Sequence, residues 1–109
     1  MFRKLAIGFL ATILTPQIAA AAPVTTGYGT ITQIGGGWIG AFLSVQLSIP
    51  IVNPDGCTYA GTYMTDPTMG GSQLFNSILL SAYMGGKQVS LVIDGCMDGF
   101  PKIIAVYSH

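Results

Sequence analysis

The chain has 109 residues, half of them hydrophobic and only 7% charged, and its formal net charge is zero. This length allows one small domain, and abundant aliphatic residues with few charges exclude a disordered tail. Because no run of like charges occurs, a basic arm and an acidic tail are excluded as well.

The N-terminus has the features of a secretory signal peptide. Arg3 and Lys4 precede an apolar run over residues 5–14, and alanines at 19–22 provide a cleavage site of the A-x-A kind. The run is too short for a bilayer span of about 20 residues; the alternatives are an uncleaved anchor or a core helix. We expect a signal peptide over residues 1–21 and a secreted or periplasmic domain over residues 22–109, with no membrane span in the mature chain.

The charges that remain after residue 21 argue against nucleic acid as a partner. Two lysines stand against four aspartates, a net charge of −2, and neither arginine nor glutamate occurs there. Binding to nucleic acid depends on clustered cationic side chains that displace counterions. This part of the chain has no such cluster.

Cys57 and Cys96 are the only cysteines. In an exported chain, an even number of cysteines predicts a disulfide. The bond would close a loop of about 40 residues and stabilise the domain by roughly 3–4 kcal/mol. A redox pair or a metal site is the alternative, but the spacing is not C-x-x-C and no histidine lies near either cysteine.

Three strands are predicted in the first half of the mature part. β-branched residues predict a strand over 28–34, and alternating apolar residues predict another over 38–49. A turn over 53–56, with Pro and Gly at the positions that turns favour, separates this strand from a third over 57–64.

A helix and two more strands follow. Ser72 is the predicted N-cap of a helix over 73–84, which would end at Gly85–Gly86 in a left-handed cap. Strands are predicted over 87–94, with Val89, Leu91 and Ile93 on one face, and over 102–107. The order β-β-β-α-β-β predicts a mainly β domain with one helix, a five-stranded Greek-key barrel of OB type.

The residues that catalysis needs are scarce. The only histidine is His109, so no nucleophile has a positioned base. The aspartates lie mainly in turns rather than as an acid pair. Asp94 and Asp98 offer too few ligands for a calcium loop, and the glycines at 35–37 lack the Lys–Ser/Thr of a phosphate loop. We expect neither enzymatic activity nor a cofactor or metal site.

Aromatic residues are numerous for so small a domain. Rings beside Ser, Thr, Asn and Gln suit sugar recognition, whereas the alternative is that they fill the core. The set comprises Tyr28, Trp38, Phe42, Tyr59, Tyr63 and Tyr107.

Five segments occur in an order that is known from a protein family. They are GTITQIG at 29–35, NPDGC at 53–57, LFNSILLSA at 74–82, GKQVSL at 86–91, and Gly95–Cys96 ahead of PKIIAVY at 101–107. In this order they resemble the B subunits of A-B toxins of the subtilase cytotoxin and typhoid toxin type, and a wider set of small exported bacterial proteins.

The resemblance implies an OB-fold that forms a pentameric ring and binds glycans on host cells; an enzymatic A subunit is a further partner that it allows. In the family, a serine just before the first strand contacts the sugar. This chain has Tyr28 there, with Thr25 and Thr26 upstream, so sialic acid specificity is not implied. With Trp38, these are the predicted ligand-binding residues.

The predicted helix has apolar residues on its outer face. At about 100° per residue, Leu80 and Met84 lie four positions apart and are neighbours. Scattered surface hydrophobes are the ordinary alternative, but in the family this helix lines the pore of the ring. We therefore predict that both lie at a subunit contact of a homo-oligomer, a pentamer. The predicted core face comprises Leu74, Phe75, Ile78, Leu79 and Ala82.

Two functions follow from the sequence. The first is a ring-forming binding module that resembles a toxin B subunit and recognises a glycan at the cell surface. The second is a stand-alone periplasmic or secreted OB-type domain that binds a protein partner, as an inhibitor or an assembly factor would.

Overall fold

The computed structural model describes residues 22–37 and 40–109, so the predicted signal peptide and the predicted site residue Trp38 lie outside the described residues. The described part is mainly β-structure with one helix, as the sequence predicts. Its elements are β1 (Val24–Thr25), β2 (Gly29–Gly36), β3 (Leu43–Leu47), β4 (Tyr63–Thr65), α1 (Ser72–Gly85), β5 (Gln88–Met97) and β6 (Phe100–Ser108).

The prediction of five strands is wrong in number, because the short β1 precedes the five expected strands. The predicted strands over 38–49 and 57–64 are also too long, since among the described residues only β3 and β4 form there. The backbone N–H of Cys57 bonds to the Asn53 side chain, and that of Tyr59 bonds to the Gly99 carbonyl. These groups are therefore satisfied without a neighbouring strand.

The six strands form one mixed sheet whose pairings close on themselves. The order is β1-β5-β2-β3-β4-β6, and an additional pairing joins β5 to β6. All pairs are antiparallel except β4–β6, which is parallel. The ring is uneven: β5 and β6 pair along most of their length, whereas β4 meets each of its neighbours over two residue pairs.

The core is formed by the inward faces of the strands and one face of α1. Val89, Leu91 and Ile93 alternate along β5 and are fully buried, which confirms the predicted inward face of that strand. Burying such an aliphatic side chain contributes about 1.5–3 kcal/mol relative to leaving it exposed. The cluster also includes Ile31, Val45, Tyr63, Leu79, Ala82, Ile103 and Val106.

The ends of α1 differ in how they are capped. The prediction that Ser72 is the N-cap is wrong: Gly71 holds that position, and the Ser72 hydroxyl donates to the Pro67 carbonyl at 3.3 Å. The predicted glycine stop is confirmed, because Gly86 is left-handed at φ 64°. The N–H of Lys87 then donates to the Ala82 carbonyl at 2.9 Å, which satisfies the end of the helix.

One face of α1 packs on the sheet. Leu79 and Ala82 are buried, and Phe75 and Ile78 pack against the core cluster, as predicted. Leu74 is the exception, because it is 63% exposed; it lies at the margin of the predicted apolar face, where the helix surface turns away from the sheet. Within the part of the chain that the structure describes, no helix has the length and apolar character to cross a membrane.

Candidate functional site

The residues before β2 lie along β5 and contain a β-bulge. Thr25 pairs with Val92 and Gly29 with Val89, while the N–H of Thr26 donates to the Leu91 carbonyl at 2.8 Å. Gly27 and Tyr28 are therefore both opposite the single residue Ser90. A bulge of this kind re-aims the side chain that it carries, and here that side chain is Tyr28.

Thr26 holds this segment in place. It is only 4% exposed, and its hydroxyl accepts from the Leu91 N–H at 3.0 Å and donates to the Gly27 carbonyl at 2.8 Å. The Ser90 hydroxyl donates to the Thr26 carbonyl at 2.6 Å. Of the predicted ligand-binding residues, Thr26 is thus engaged within the protein, whereas Thr25 and Tyr28 are exposed.

Tyr28 belongs to a surface that also includes Tyr107 and His109, here named the Tyr28 surface. The ring centroids of Tyr28 and His109 are 4.1 Å apart, with an angle of 56° between the ring planes. The backbone N–H of His109 donates to the Gln88 carbonyl at 3.2 Å. Tyr107, 55% exposed, pairs with Ser90 from the other side of β5. His109 is exposed, and its contact with Tyr28 is not predictable from the sequence, because packing between distant segments leaves no local pattern.

No family model matches this chain, and comparison with curated proteins and with solved structures finds none that is similar. What the surfaces of this molecule do is therefore inferred from their own residues.

A second surface is built around the disulfide, which the structure confirms between Cys57 and Cys96. Cys57 lies in the loop before β4, and Cys96 lies within β5 rather than in a loop as expected. Asn53 reinforces the loop, since its side chain both donates to and accepts from the backbone of Cys57. The loop between β3 and β4 is thereby fastened to the β5–β6 hairpin.

Tyr59 lies on this fastened loop and is 57% exposed. Its ring centroid is 5.2 Å from that of Phe100, a usual separation for an aromatic pair. Thr58, which precedes it, and Asp98, which precedes Gly99 in the turn against the Tyr59 ring, are exposed as well. The sequence places Tyr59 in a strand and does not indicate this arrangement, because it depends on residues that are about 40 positions away.

The outer face of α1 is the third surface. The predicted contact residues Leu80 and Met84 are 47% and 82% exposed. Tyr83, which precedes Met84 in sequence, is 43% exposed. None of the 14 residues of α1 carries a charge. Such a face differs from an ordinary solvated helix face, on which charged and polar residues dominate.

A shallow depression of about 290 Å³ lies between α1 and the end of β6. Two of its three serines are engaged, because the Ser77 hydroxyl donates to the Gln73 carbonyl and that of Ser108 to the Gln88 carbonyl. One cation, Lys87, lies at its margin. The lining residues are Ser77, Ile78, Ser81, Ala82, Lys87 and Ser108.

In the described part of the chain, the pKa values of Tyr63 and Asp66 are shifted by local causes. Burial raises the pKa of Tyr63, against the lowering effect of the hydrogen bond from the Val52 N–H. The Thr68 hydroxyl and then its backbone N–H donate to Asp66 and lower the pKa of that carboxyl. Among residues 22–37 and 40–109, no three metal-ligating side chains of the His, Cys, Asp or Glu type converge.

Proposed function

We propose that this chain is an exported binding module without enzymatic activity, built on an OB-type barrel, that forms a ring-shaped homo-oligomer and recognises a glycan. The OB type is supported by the closed order of strands, with its single parallel contact between β4 and β6 and its helix between β4 and β5. An OB-type barrel is the fold that the resemblance of the sequence to toxin B subunits implies.

The observation that carries the proposal is the uncharged outer face of α1. Protein interfaces are depleted of charged residues in their centres and enriched in methionine and aromatic residues. Met84, with 82% of its surface exposed beside Leu80 and Tyr83, fits that composition. A second copy of the chain is the occupant that the resemblance to ring-forming subunits favours.

Glycan recognition is assigned to the Tyr28 surface. Tyrosine presents an apolar ring together with a hydroxyl that hydrogen-bonds, a combination that suits sugars. The bulge and the contact with His109 hold the Tyr28 ring at the surface, and Thr25 provides an exposed hydroxyl upstream. Export is supported by the disulfide, because such bonds persist in oxidising compartments.

Assembly is tested by light scattering after size exclusion on the protein exported from its full-length precursor. We expect the wild type to elute as a multimer at tens of micromolar, and the double variant Leu80→Glu with Met84→Lys to elute as a monomer. Leu74→Glu is the matched control, because it adds a charge at an exposed leucine of the same helix outside the proposed contact. A monomeric wild type would contradict the ring.

Glycan binding is tested on a glycan array. The wild type should bind a defined set of glycans, and Tyr28→Ser should lose that binding while it keeps the wild-type oligomeric mass. Absence of wild-type binding would contradict glycan recognition. Unchanged binding by Tyr28→Ser would contradict the assignment to the Tyr28 surface.

A stand-alone OB-type domain that binds a protein partner is the second candidate. The uncharged helix face favours it as well, because such a face fits an apolar surface on another protein. A monomeric wild type that binds no glycan would support this function over the first.

A further inference from the structure

The surface at the disulfide holds an exposed tyrosine in a fixed position. The N–H of Tyr59 donates to the Gly99 carbonyl at 2.7 Å, and Cys57, two residues earlier, is bonded to Cys96. The Phe100 ring packs against the tyrosine ring. The backbone of Tyr59 and one side of its ring are therefore both held in place, although the side chain is exposed.

Gly99 allows the ring to approach the backbone of the β5–β6 turn. A Cβ atom at Gly99 would lie 2.8 Å from Cδ2 of Tyr59 and 3.0 Å from Cε2, so the ring rests where any other residue would have a side chain. Gly99 also has φ +85°, and Asp98 before it is left-handed at 51°. An Asp–Gly pair with both residues left-handed is the usual two-residue turn of a β-hairpin, here between the paired residues Met97 and Phe100.

We propose that Tyr59, with Thr58 and Asp98 at its edge, is a binding site for a neutral pyranose sugar. This site is additional to the proposed function, because it is separate from the Tyr28 surface. One face of a pyranose consists of C–H groups and stacks on an aromatic ring, while its hydroxyls need acceptors and donors at the rim. The carboxylate oxygens of Asp98 accept hydrogen bonds, and the Thr58 hydroxyl both donates and accepts.

The charges at this surface favour an uncharged sugar. Asp98 is exposed, and the Asp55 carboxylate lies on the same loop, bonded to the Gly95 N–H. Lys102 lies near Gly95 and also attracts the Asp66 carboxylate, so carboxylates outnumber the single ammonium group. An acidic or sulfated sugar would meet like charge here, whereas the hydroxyls of a neutral sugar bond well to carboxylate oxygens.

The fixed tyrosine favours binding for an entropic reason. A side chain that is mobile before binding loses freedom when it contacts a ligand, and that loss weakens affinity. Tyr59 is already ordered by Gly99, Phe100 and the disulfide, so its ring meets a ligand without this cost. A single pyranose is a sufficient probe.

The test is saturation-transfer NMR with methyl β-galactopyranoside, methyl α-mannopyranoside and methyl α-glucopyranoside, and with N-acetylneuraminic acid as the charged probe. At least one neutral glycoside should receive saturation mainly on the C–H groups of one ring face, and more than the acid does. Tyr59→Ser should weaken that binding about fivefold to tenfold. Tyr59→Phe, which keeps the ring, should bind as the wild type does. The comparison of Tyr59 with serine is repeated in the Tyr28→Ser background, so that binding at the Tyr28 surface does not contribute.

Three outcomes would overturn the site: no neutral glycoside binds, the acid binds as well as the neutral glycosides, or Tyr59→Ser binds like the wild type. An intact disulfide mass and an unchanged unfolding midpoint show that Tyr59→Ser is folded. If Tyr59→Ser does not fold, Asp98→Asn is used instead, because asparagine adopts the left-handed conformation of this turn. Asp98→Asn should lower neutral-sugar binding. This site is measured by what Tyr59→Ser changes when residue 28 is serine, and the Tyr28 surface by what Tyr28→Ser changes on the array, so the two proposals can fail separately.

Discussion

The carboxylate of Asp55 accepts a hydrogen bond from the backbone N–H of Gly95 at 2.7 Å, across 40 positions of sequence. Two residues further along the loop, Cys57 is joined to Cys96, and the Cα atoms of that pair are 5.8 Å apart. A polar and a covalent cross-link therefore fasten the same turn to the same strand. The hydrogen bond and the disulfide together fix the loop on which Tyr59 lies.

Replacing Asp55 tests the polar cross-link. Asp55→Ala removes the acceptor for the Gly95 N–H. We expect this variant to lower the free energy of unfolding by about 1–2 kcal/mol. The loss should be at the low end for a bond to a charged group, because Asp55 is half-buried. Asp55→Asn keeps an amide oxygen and should retain most of that stability. Urea unfolding measures both, and an alanine variant as stable as the wild type would show that the bond is not formed.

The covalent cross-link has a larger expected effect. The native mass should be about two daltons below the reduced mass, as for any single disulfide. Replacing both cysteines with serine should lower the free energy of unfolding by about 2–5 kcal/mol, since the unfolded chain gains freedom. Thiol labelling of the unreduced protein is the control: two reactive thiols in an exported preparation would contradict the bond in solution.

Local patterns predict the parts of this fold that depend on local physics. The alternation of Val89, Leu91 and Ile93 identifies the inward face of β5, and the glycine pair after the helix identifies its end. The disulfide follows from the cysteine count and the expected export. The strand face and the helix end are decided by residues that are close in sequence, and two cysteines allow only one intramolecular pairing.

The remaining features depend on contacts between distant segments. Residues 48–62 contain turns and bends but no strand, and their hydrogen bonds reach Gly95, Gly99 and Tyr63. Neither the Tyr59–Phe100 contact nor the bulge that presents Tyr28 has a periodic signature. The exposure of Leu74 likewise depends on how far the sheet extends under the helix, which the helix sequence does not encode.

Thr26 and Thr25 provide a matched pair for the segment along β5. Thr26→Val leaves the buried N–H of Leu91 without the hydroxyl acceptor, so we expect a loss of about 1–3 kcal/mol in the free energy of unfolding. Thr25→Val changes an exposed side chain and should alter stability by less than about 0.5 kcal/mol. Equal stabilities of the two variants, measured in urea, would contradict a fixed Thr26.

Tyr63 should make the protein sensitive to alkali. Burial raises the pKa of its phenol above the ordinary 10.0, so the folded state holds this proton more tightly than the unfolded state does. Stability from this group is complete below pH 10 and falls as the pH rises from there through the folded pKa.

Tyr63→Phe removes the group, at a cost of about 1–2 kcal/mol because the Val52 N–H loses its acceptor. Urea midpoints from pH 8 to 11 should therefore fall less steeply above pH 10 in Tyr63→Phe than in the wild type. Parallel profiles would show that Tyr63 does not titrate differently in the folded and unfolded states.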